Sequence, residues 1–209
     1  DQTINATTNG SGDITKMTFE EIQKYYLKDR NGNLTDEKIP TLEAFLKAGR
    51  GKIYFNLDYS PRTASTKQVF DIVKKMEMME SVFFYCNSEQ KVKEVLDLDK
   101  DAHAHPWVGA HKALVGLPGA YFIQGSYMTN GKSTDMSKGI ADGMIVSIGM
   151  LAWTGDGELV GISENATSRI AENNEEYLDD LLTIFPDVKM IMTDVPKELI
   201  KALKQRGKR

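Results

Sequence analysis

The sequence Lys52-Ile53-Tyr54-Phe55-Asn56-Leu57-Asp58-Tyr59-Ser60 is a short apolar stretch with one carboxylate near its carboxyl end. Tyr54, Phe55 and Leu57 favour a pleated and largely buried backbone, so this stretch is predicted to form a β-strand. Asp58 then lies at the carboxyl end of that strand. Because α/β folds form their ligand crevices at the carboxyl ends of parallel strands, Asp58 is a candidate metal ligand or acid–base group.

The composition around this strand is that of a globular protein. A chain of 209 residues is most simply one domain with a substantial core. Its 26 Lys and Arg residues, scattered among 30 Asp and Glu residues, give no reason to expect a nucleic acid partner. No long apolar segment predicts a membrane span. Cys86 is the only cysteine, which excludes an internal disulfide and a zinc site built from several thiolates.

Strand and helix patterns alternate along most of the chain. The strand candidates are residues 52–60, 81–86, 102–108, 120–124, 144–148 and 188–192. The helix candidates are residues 42–46, 66–79, 88–96, 110–115, 175–185 and 197–204. This alternation predicts a parallel sheet of about six strands covered by helices. A closed (β/α) barrel typically needs ~250 residues, so a barrel would lack about two βα units, at its front. An open six-stranded sheet is the alternative.

One further helix is predicted ahead of these elements. Thr18 is a suitable N-cap residue, and Glu21, three residues later, completes a capping box. Apolar residues at helical spacing follow, namely Phe19, Ile22, Tyr26 and Leu27. The helix is expected to end at Asn31.

The three histidines of the chain offer a competing site. His103 and His105 have the alternate spacing that puts two imidazoles on one face of a strand, with His111 nearby, as in metallohydrolases. Such sites need further ligands, however. Pro106 and the charged run 97–101 indicate an exposed connection, which favours a surface or hydrogen-bonding role for these histidines. The charged run itself lacks the glycine and glutamate of a calcium loop and is interpreted as a solvated segment.

Four short signatures occur in one order along the chain: Asn5-Ala6-Thr7-Thr8-Asn9-Gly10-Ser11-Gly12, Ile39-Pro40-Thr41-Leu42-Glu43, Asn56-Leu57-Asp58 and Met192-Thr193-Asp194-Val195-Pro196. Together they resemble the glycerophosphodiester phosphodiesterase family, from the first residue to about Pro196. The resemblance implies a TIM barrel that hydrolyses glycerophosphodiesters to glycerol 3-phosphate and an alcohol. It also implies a divalent cation, Mg²⁺ or Ca²⁺, held by acidic residues at strand ends, and two histidines that act as acid and base.

The resemblance assigns roles to particular residues. Asp58 aligns with the acidic metal ligand of the family's third strand, usually a glutamate, and is therefore implied to be a catalytic, metal-binding residue. Asp194 aligns with the aspartate that closes the last strand and is implied to bind substrate. Asp1 aligns with the residue that follows one of the two histidines. Both histidines and the first two βα units are thus expected upstream, and residues 1–209 form one incomplete barrel domain.

One departure from the family suggests an alternative function. Ser60 stands where the family usually has a lysine, which removes a cation that would favour phosphate. A catalytically inactive barrel that binds a glycerophosphoryl or glycan ligand is therefore the second hypothesis.

Trp153 resembles an aromatic pocket residue of the family, but its neighbours Gly155 and Gly157 favour a turn. We expect little or no turnover from the 209 residues alone.

The expected partner is a small-molecule phosphodiester. A barrel without its first strands leaves unpaired backbone groups at two edges, so a homo-oligomer or aggregation is expected unless upstream residues complete the sheet. A leader ahead of Asp1 would direct the protein to the periplasm or the exterior, and the compartment stays open without it.

Overall fold

Strands and helices alternate in the part of the chain that the computed structural model describes, which is residues 2–29, 31–59, 65–107, 122–126, 141, 143–149, 178–179, 182–183, 186, 188–192 and 196–208. The helices are α1 (Phe19–Ile22), α2 (Leu42–Gly49), α3 (Thr66–Lys75), α4 (Glu89–Leu98) and α5 (Pro196–Gln205). The strands are β1 (Phe55–Leu57), β2 (Val82–Cys86), β3 (Ala104–Pro106), β4 (Phe122–Ser126), β5 (Ile145–Gly149) and β6 (Met190–Met192). The predicted α/β class is therefore confirmed.

The strands form two sheets, with the orders β1-β2-β3 and β4-β5-β6. β1 pairs with β2 in parallel, with Phe55 opposite Val82. β5 pairs in parallel with β4 and with β6. By packing, the chain divides into two compact units, Asp1–Phe84 with Asp97–His103, and Tyr85–Leu96 with Ala104–Arg209.

The core of the first unit lies between β1, β2 and α3. Strand alternation buries Phe55 and Leu57 of β1, because successive side chains point to opposite faces. α3 buries residues at the spacing of one helical face, namely Thr66, Val69, Phe70 and Val73. The ring of Phe70 stacks on that of Phe84, with 5.7 Å between centroids. This packing fixes the strand that carries the candidate site.

α2 covers the same strand from another side. Thr41 caps the helix by accepting a hydrogen bond from the Ala44 amide. Leu46 is fully buried, and the ring of Phe45 meets the ring of Phe55 edge-on at 5.2 Å. The exposed fraction of Phe45 is still 48%, so the predicted apolar face of this helix is only partly buried.

α1 is much shorter than the sequence predicted. The capping box between Thr18 and Glu21 is present, but the helix ends at Ile22. Beyond it the backbone bonds to distant segments: the Leu27 amide donates to the Glu37 carbonyl at 2.8 Å, and Lys28 to Thr7 at 2.8 Å. These long-range hydrogen bonds replace the helical ones, so the predicted continuation to Asn31 is wrong.

The second unit contains the sheet β4-β5-β6, and β3 lies beside β4. Ser147 of β5 is buried, and α5 buries Leu199. The predicted helix at 110–115 and most of the one at 175–185 lie outside the described residues. No helix in the described ranges has the length and apolarity to cross a bilayer.

Candidate functional site

A groove of about 270 Å³ lies at the carboxyl end of β1. Its lining residues are Leu42, Phe45, Asn56, Leu57, Asp58, Tyr59 and Val69. They come from three elements of the first unit, which are α2, the end of β1 with the two residues after it, and α3. The groove therefore occupies the position where parallel α/β sheets bind ligands.

The polar residues of this groove are presented by strand alternation. Phe55 and Leu57 point into the core, whereas Asn56 between them is exposed. Asp58 follows Leu57 and is also exposed, so the two polar residues share the open side of the strand. The amide of Asn56 and the carboxylate of Asp58 thus lie two residues apart at the strand's carboxyl end.

The walls of the groove modify how these groups act. Leu42, Phe45 and Val69 form the apolar walls. Leu42 is also the first residue of α2, so the positive end of the helix dipole lies along one wall. This arrangement suits an anionic ligand held together with a cation.

The donor chemistry suits a hard divalent cation. A carboxylate and an amide oxygen are ligands that Mg²⁺ and Ca²⁺ prefer. Within the described ranges, no group of three or more His, Cys, Asp or Glu side chains could hold a metal ion. Asp58 therefore fits as one ligand of a larger set, whose other members do not lie beside it in the described part of the chain.

The structure describes only some of the residues that the sequence singled out. Asp58 is at the groove, as predicted from the end of its strand. Ser60, Trp153 and Asp194 lie outside the described residues, and so does His111. Asn56 was not predicted as a site residue. The same period-two alternation that placed Asp58 at the strand's mouth identifies it.

The histidine pair differs from the predicted exposed connection. His105 lies on β3 with no exposed surface, and burial lowers its pKa from the ordinary value of 6.5 to about 4. Its ring meets that of Tyr85 edge-on at 6.4 Å. His103 is half-buried and lies 5.4 Å from the ring of Phe83. The predicted surface position is thus wrong for His105, which is a neutral core residue.

The family model described as "Glycerophosphoryl diester phosphodiesterase family" matches residues 1–103. This range includes the groove and Asp58. Over these residues the chain is similar to the glycerophosphodiester phosphodiesterase family. The predicted resemblance is confirmed there, while Asp194 lies beyond the matched range.

Solved structures share the fold of this chain over nearly its whole length. It is similar to a glycerophosphoryl diester phosphodiesterase from Parabacteroides distasonis, with a TM-score of 0.71 and 21% identity over 99% of this chain and 70% of that one. It is also similar to a glycerophosphodiester phosphodiesterase from Agrobacterium tumefaciens, with a TM-score of 0.62 and 18% identity over 95% of this chain and 77% of that one. A comparison with curated proteins found no match.

Proposed function

We propose that the protein is a metal-dependent hydrolase that cleaves glycerophosphodiesters to glycerol 3-phosphate and an alcohol. The observation that carries this proposal is the exposed carboxylate of Asp58, at the carboxyl end of a parallel strand and in a groove of the family-matched region. The substrate is a small-molecule phosphodiester. The strands belong to a TIM barrel, and the adjacency of β3 and β4 supports that arrangement.

Each site residue has a distinct role in this proposal. Asp58 would hold the divalent cation, Mg²⁺ or Ca²⁺, through its carboxylate. The side-chain amide of Asn56 lies on the same side of the strand and orients substrate or a ligand water by hydrogen bonding. Asp194 binds the substrate, the role that the resemblance implies for it. When bound, the cation neutralises charge on the phosphoryl oxygens.

The test is an assay of glycerol 3-phosphate release from a glycerophosphodiester, using the protein at its natural length with Mg²⁺, Ca²⁺ or a chelator. Asp58→Asn is expected to lower kcat/KM about 100-fold or more, because a metal's charge stabilisation is worth several kcal/mol. Asp71→Asn is the matched control, since Asp71 is an exposed carboxylate of the same unit that pairs with Lys67. Its kcat/KM is expected to stay near that of the wild type.

The proposal fails if the natural-length protein releases no glycerol 3-phosphate with either cation, or if Asp58→Asn is as active as the control.

Ser60 motivates the second candidate, a barrel that binds a glycerophosphoryl or glycan ligand without cleaving it. Calorimetry distinguishes the two candidates, because a binding protein gives saturable heat with the phosphodiester but no product. Ser60→Lys restores the cation that the family usually carries. If the wild type binds without turnover and Ser60→Lys turns substrate over, the missing lysine explains the inactivity.

A further inference from the structure

The exposed face of α5 carries a concentrated positive charge. Lys197, Lys201 and Lys204 are all exposed, and at 100° per residue they lie within about 60° around the helix axis. Together with Ile200 and Gln205 they line a shallow, open depression. The opposite side of the helix packs inward, since Leu199 is buried. The lysine face, defined by these three lysines, is therefore turned away from the core.

This charge differs from the rest of the chain. Residues 196–209 contain six Lys or Arg and one Glu, whereas the whole chain has 26 Lys or Arg and 30 Asp or Glu. The last fourteen residues thus carry a net charge of +5 and the others a net charge of −9. Basic residues that look scattered over the full length are therefore concentrated at this end.

Two other helices each pair one lysine with an acid. In α3 the Lys67 ammonium lies 2.6 Å from Asp71, and in α4 Lys91 lies 3.0 Å from Glu94. Within the described residues, no lysine of the lysine face forms a salt bridge. Arg206 does, through the Nε and Nη2 atoms that it directs at Asp179. Among the described side chains, the three lysines of this helix thus have no acidic partner, whereas Arg206 is paired.

The lysine face is unfavourable for the helix itself. Lys197 and Lys201 are four residues apart, and Lys201 and Lys204 are three apart, so like charges repel along one face. A cation near the C-terminus is stabilised by the helix dipole, which accounts for Lys204. Lys197 lies in the first turn, where the dipole disfavours a cation. Electrostatic interactions within the helix therefore do not favour a lysine at position 197. An external anion bound at this face would favour it.

We propose that the lysine face docks the protein on an anionic phospholipid bilayer as a peripheral contact. The face is broad and shallow rather than a closed pocket, which suits a surface more than a small anion. Ile200, with 39% of its surface exposed, lies among the lysines and contacts the bilayer at headgroup depth. Among the residues that the structure describes, no aromatic side chain lines the face, so the described part lacks the stacking groups of single-stranded nucleic acid sites. This proposal does not depend on the proposed hydrolase activity.

Co-sedimentation with vesicles tests the proposal in the 209-residue chain. The probes are vesicles of phosphatidylcholine alone and vesicles that also contain phosphatidylglycerol. Binding is expected only to the anionic vesicles at about 0.1 M salt and to be lost at about 1 M, because screening shortens the Debye length to about 3 Å. Each lysine near an anionic surface strengthens binding about fivefold, so replacing all three of the lysine face by Gln weakens partitioning roughly 100-fold.

A matched control has the same net charge as this triple variant. Lys47, Lys75 and Lys93 are exposed lysines on three other helices, and their replacement by Gln is expected to leave vesicle binding almost unchanged. Lys197→Glu separates lost binding from lost folding. The new carboxylate lies at the positive end of the helix dipole and can form an ion pair with Lys201, four residues later. This variant is therefore expected to have a higher Tm but weaker vesicle binding.

Several outcomes would overturn the proposal. Equal binding to neutral and anionic vesicles would exclude an electrostatic contact, and so would an equal loss in the control triple variant. Binding to an anionic polymer such as heparin without vesicle binding would assign the face to a different partner. A salt-sensitive dimer in light scattering, again without vesicle binding, would assign it to the acidic surface of a second copy.

Discussion

His105 makes the stability of this protein depend on pH. Its imidazole is fully buried on β3, and burial lowers its pKa from 6.5 to about 4. Between these two pH values the unfolded chain binds a proton that the folded chain does not. Stability is therefore unaffected above about pH 6.5, falls as the pH drops from 6.5 towards 4, and reaches its full loss below the folded pKa.

The size of this loss follows from the two pKa values. Each pH unit between them costs about 1.4 kcal/mol, so the full loss is roughly 3 kcal/mol. Between pH 8 and pH 5 the free energy of unfolding is expected to fall by about 2 kcal/mol from His105 alone. Side-chain hydrogen bonds lower the pKa values of three carboxyl groups below 3.8, those of Asp13, Asp29 and Asp179. Their contributions are lost only at more acidic pH and do not affect this comparison.

Urea unfolding at pH 8 and pH 5, followed by circular dichroism, measures the effect. His105→Gln cannot take up a proton, so its two unfolding free energies are expected to lie about 2 kcal/mol closer together than those of the wild type. His103→Gln is the control, because His103 lies two residues away and is only half-buried. The reasoning is refuted if His105→Gln shows the same pH dependence as the wild type.

Two further predictions concern the core of each unit. A Cβ atom at Gly49 would lie 2.5 Å from the Phe55 ring, so Gly49→Ala is expected to lower the free energy of unfolding by roughly 1–3 kcal/mol in urea titrations. An unchanged free energy of unfolding in Gly49→Ala would contradict this crowding. Burial raises the pKa of the Cys86 thiol to about 12, so a thiol reagent at pH 8 should label it only in denaturant. Rapid labelling of the folded protein would show that β2 opens.

The sequence correctly predicted those helices and strands whose buried residues follow a regular spacing within one short segment. The spacing of Val69, Phe70 and Val73 predicted α3, and the dense apolar run 81–86 predicted β2. α3 ends at Lys75 rather than at Met79 because Glu77 adopts a positive φ of 54°, which no helix continues. That backbone reversal has no signal in the side-chain pattern.

The candidate site was predictable only along one strand. Asp58 follows from the end of β1, and Asn56 follows from the alternation of the same strand. Leu42, Phe45 and Val69 reach the groove from two helices, and no spacing in the sequence shows that these helices meet there. The polar groups of the site thus come from one segment and can be predicted from its sequence. The apolar walls depend on how the helices pack in the fold and cannot be predicted in this way.

The sequence misled the predictions for His105 and for the lysine face in two different ways. For His105 a local charged run was given too much weight, and for the lysine face the composition of the whole chain was. The acidic run 97–101 made His105 look exposed, although strand pairing decides its burial: the Phe84 amide donates to the His103 carbonyl, and Trp107 to Cys86. Averaging over the whole chain concealed the lysine face, which local counting reveals.

The two features also respond differently to acid. Lysines stay charged between pH 8 and pH 5, whereas His105 becomes costly to keep neutral. Vesicle binding by the folded protein is therefore expected to persist at pH 5 while its unfolding free energy falls. A parallel loss of binding and stability in acid would mean that docking requires a folded population that His105 depletes. His105→Gln would then restore binding at pH 5.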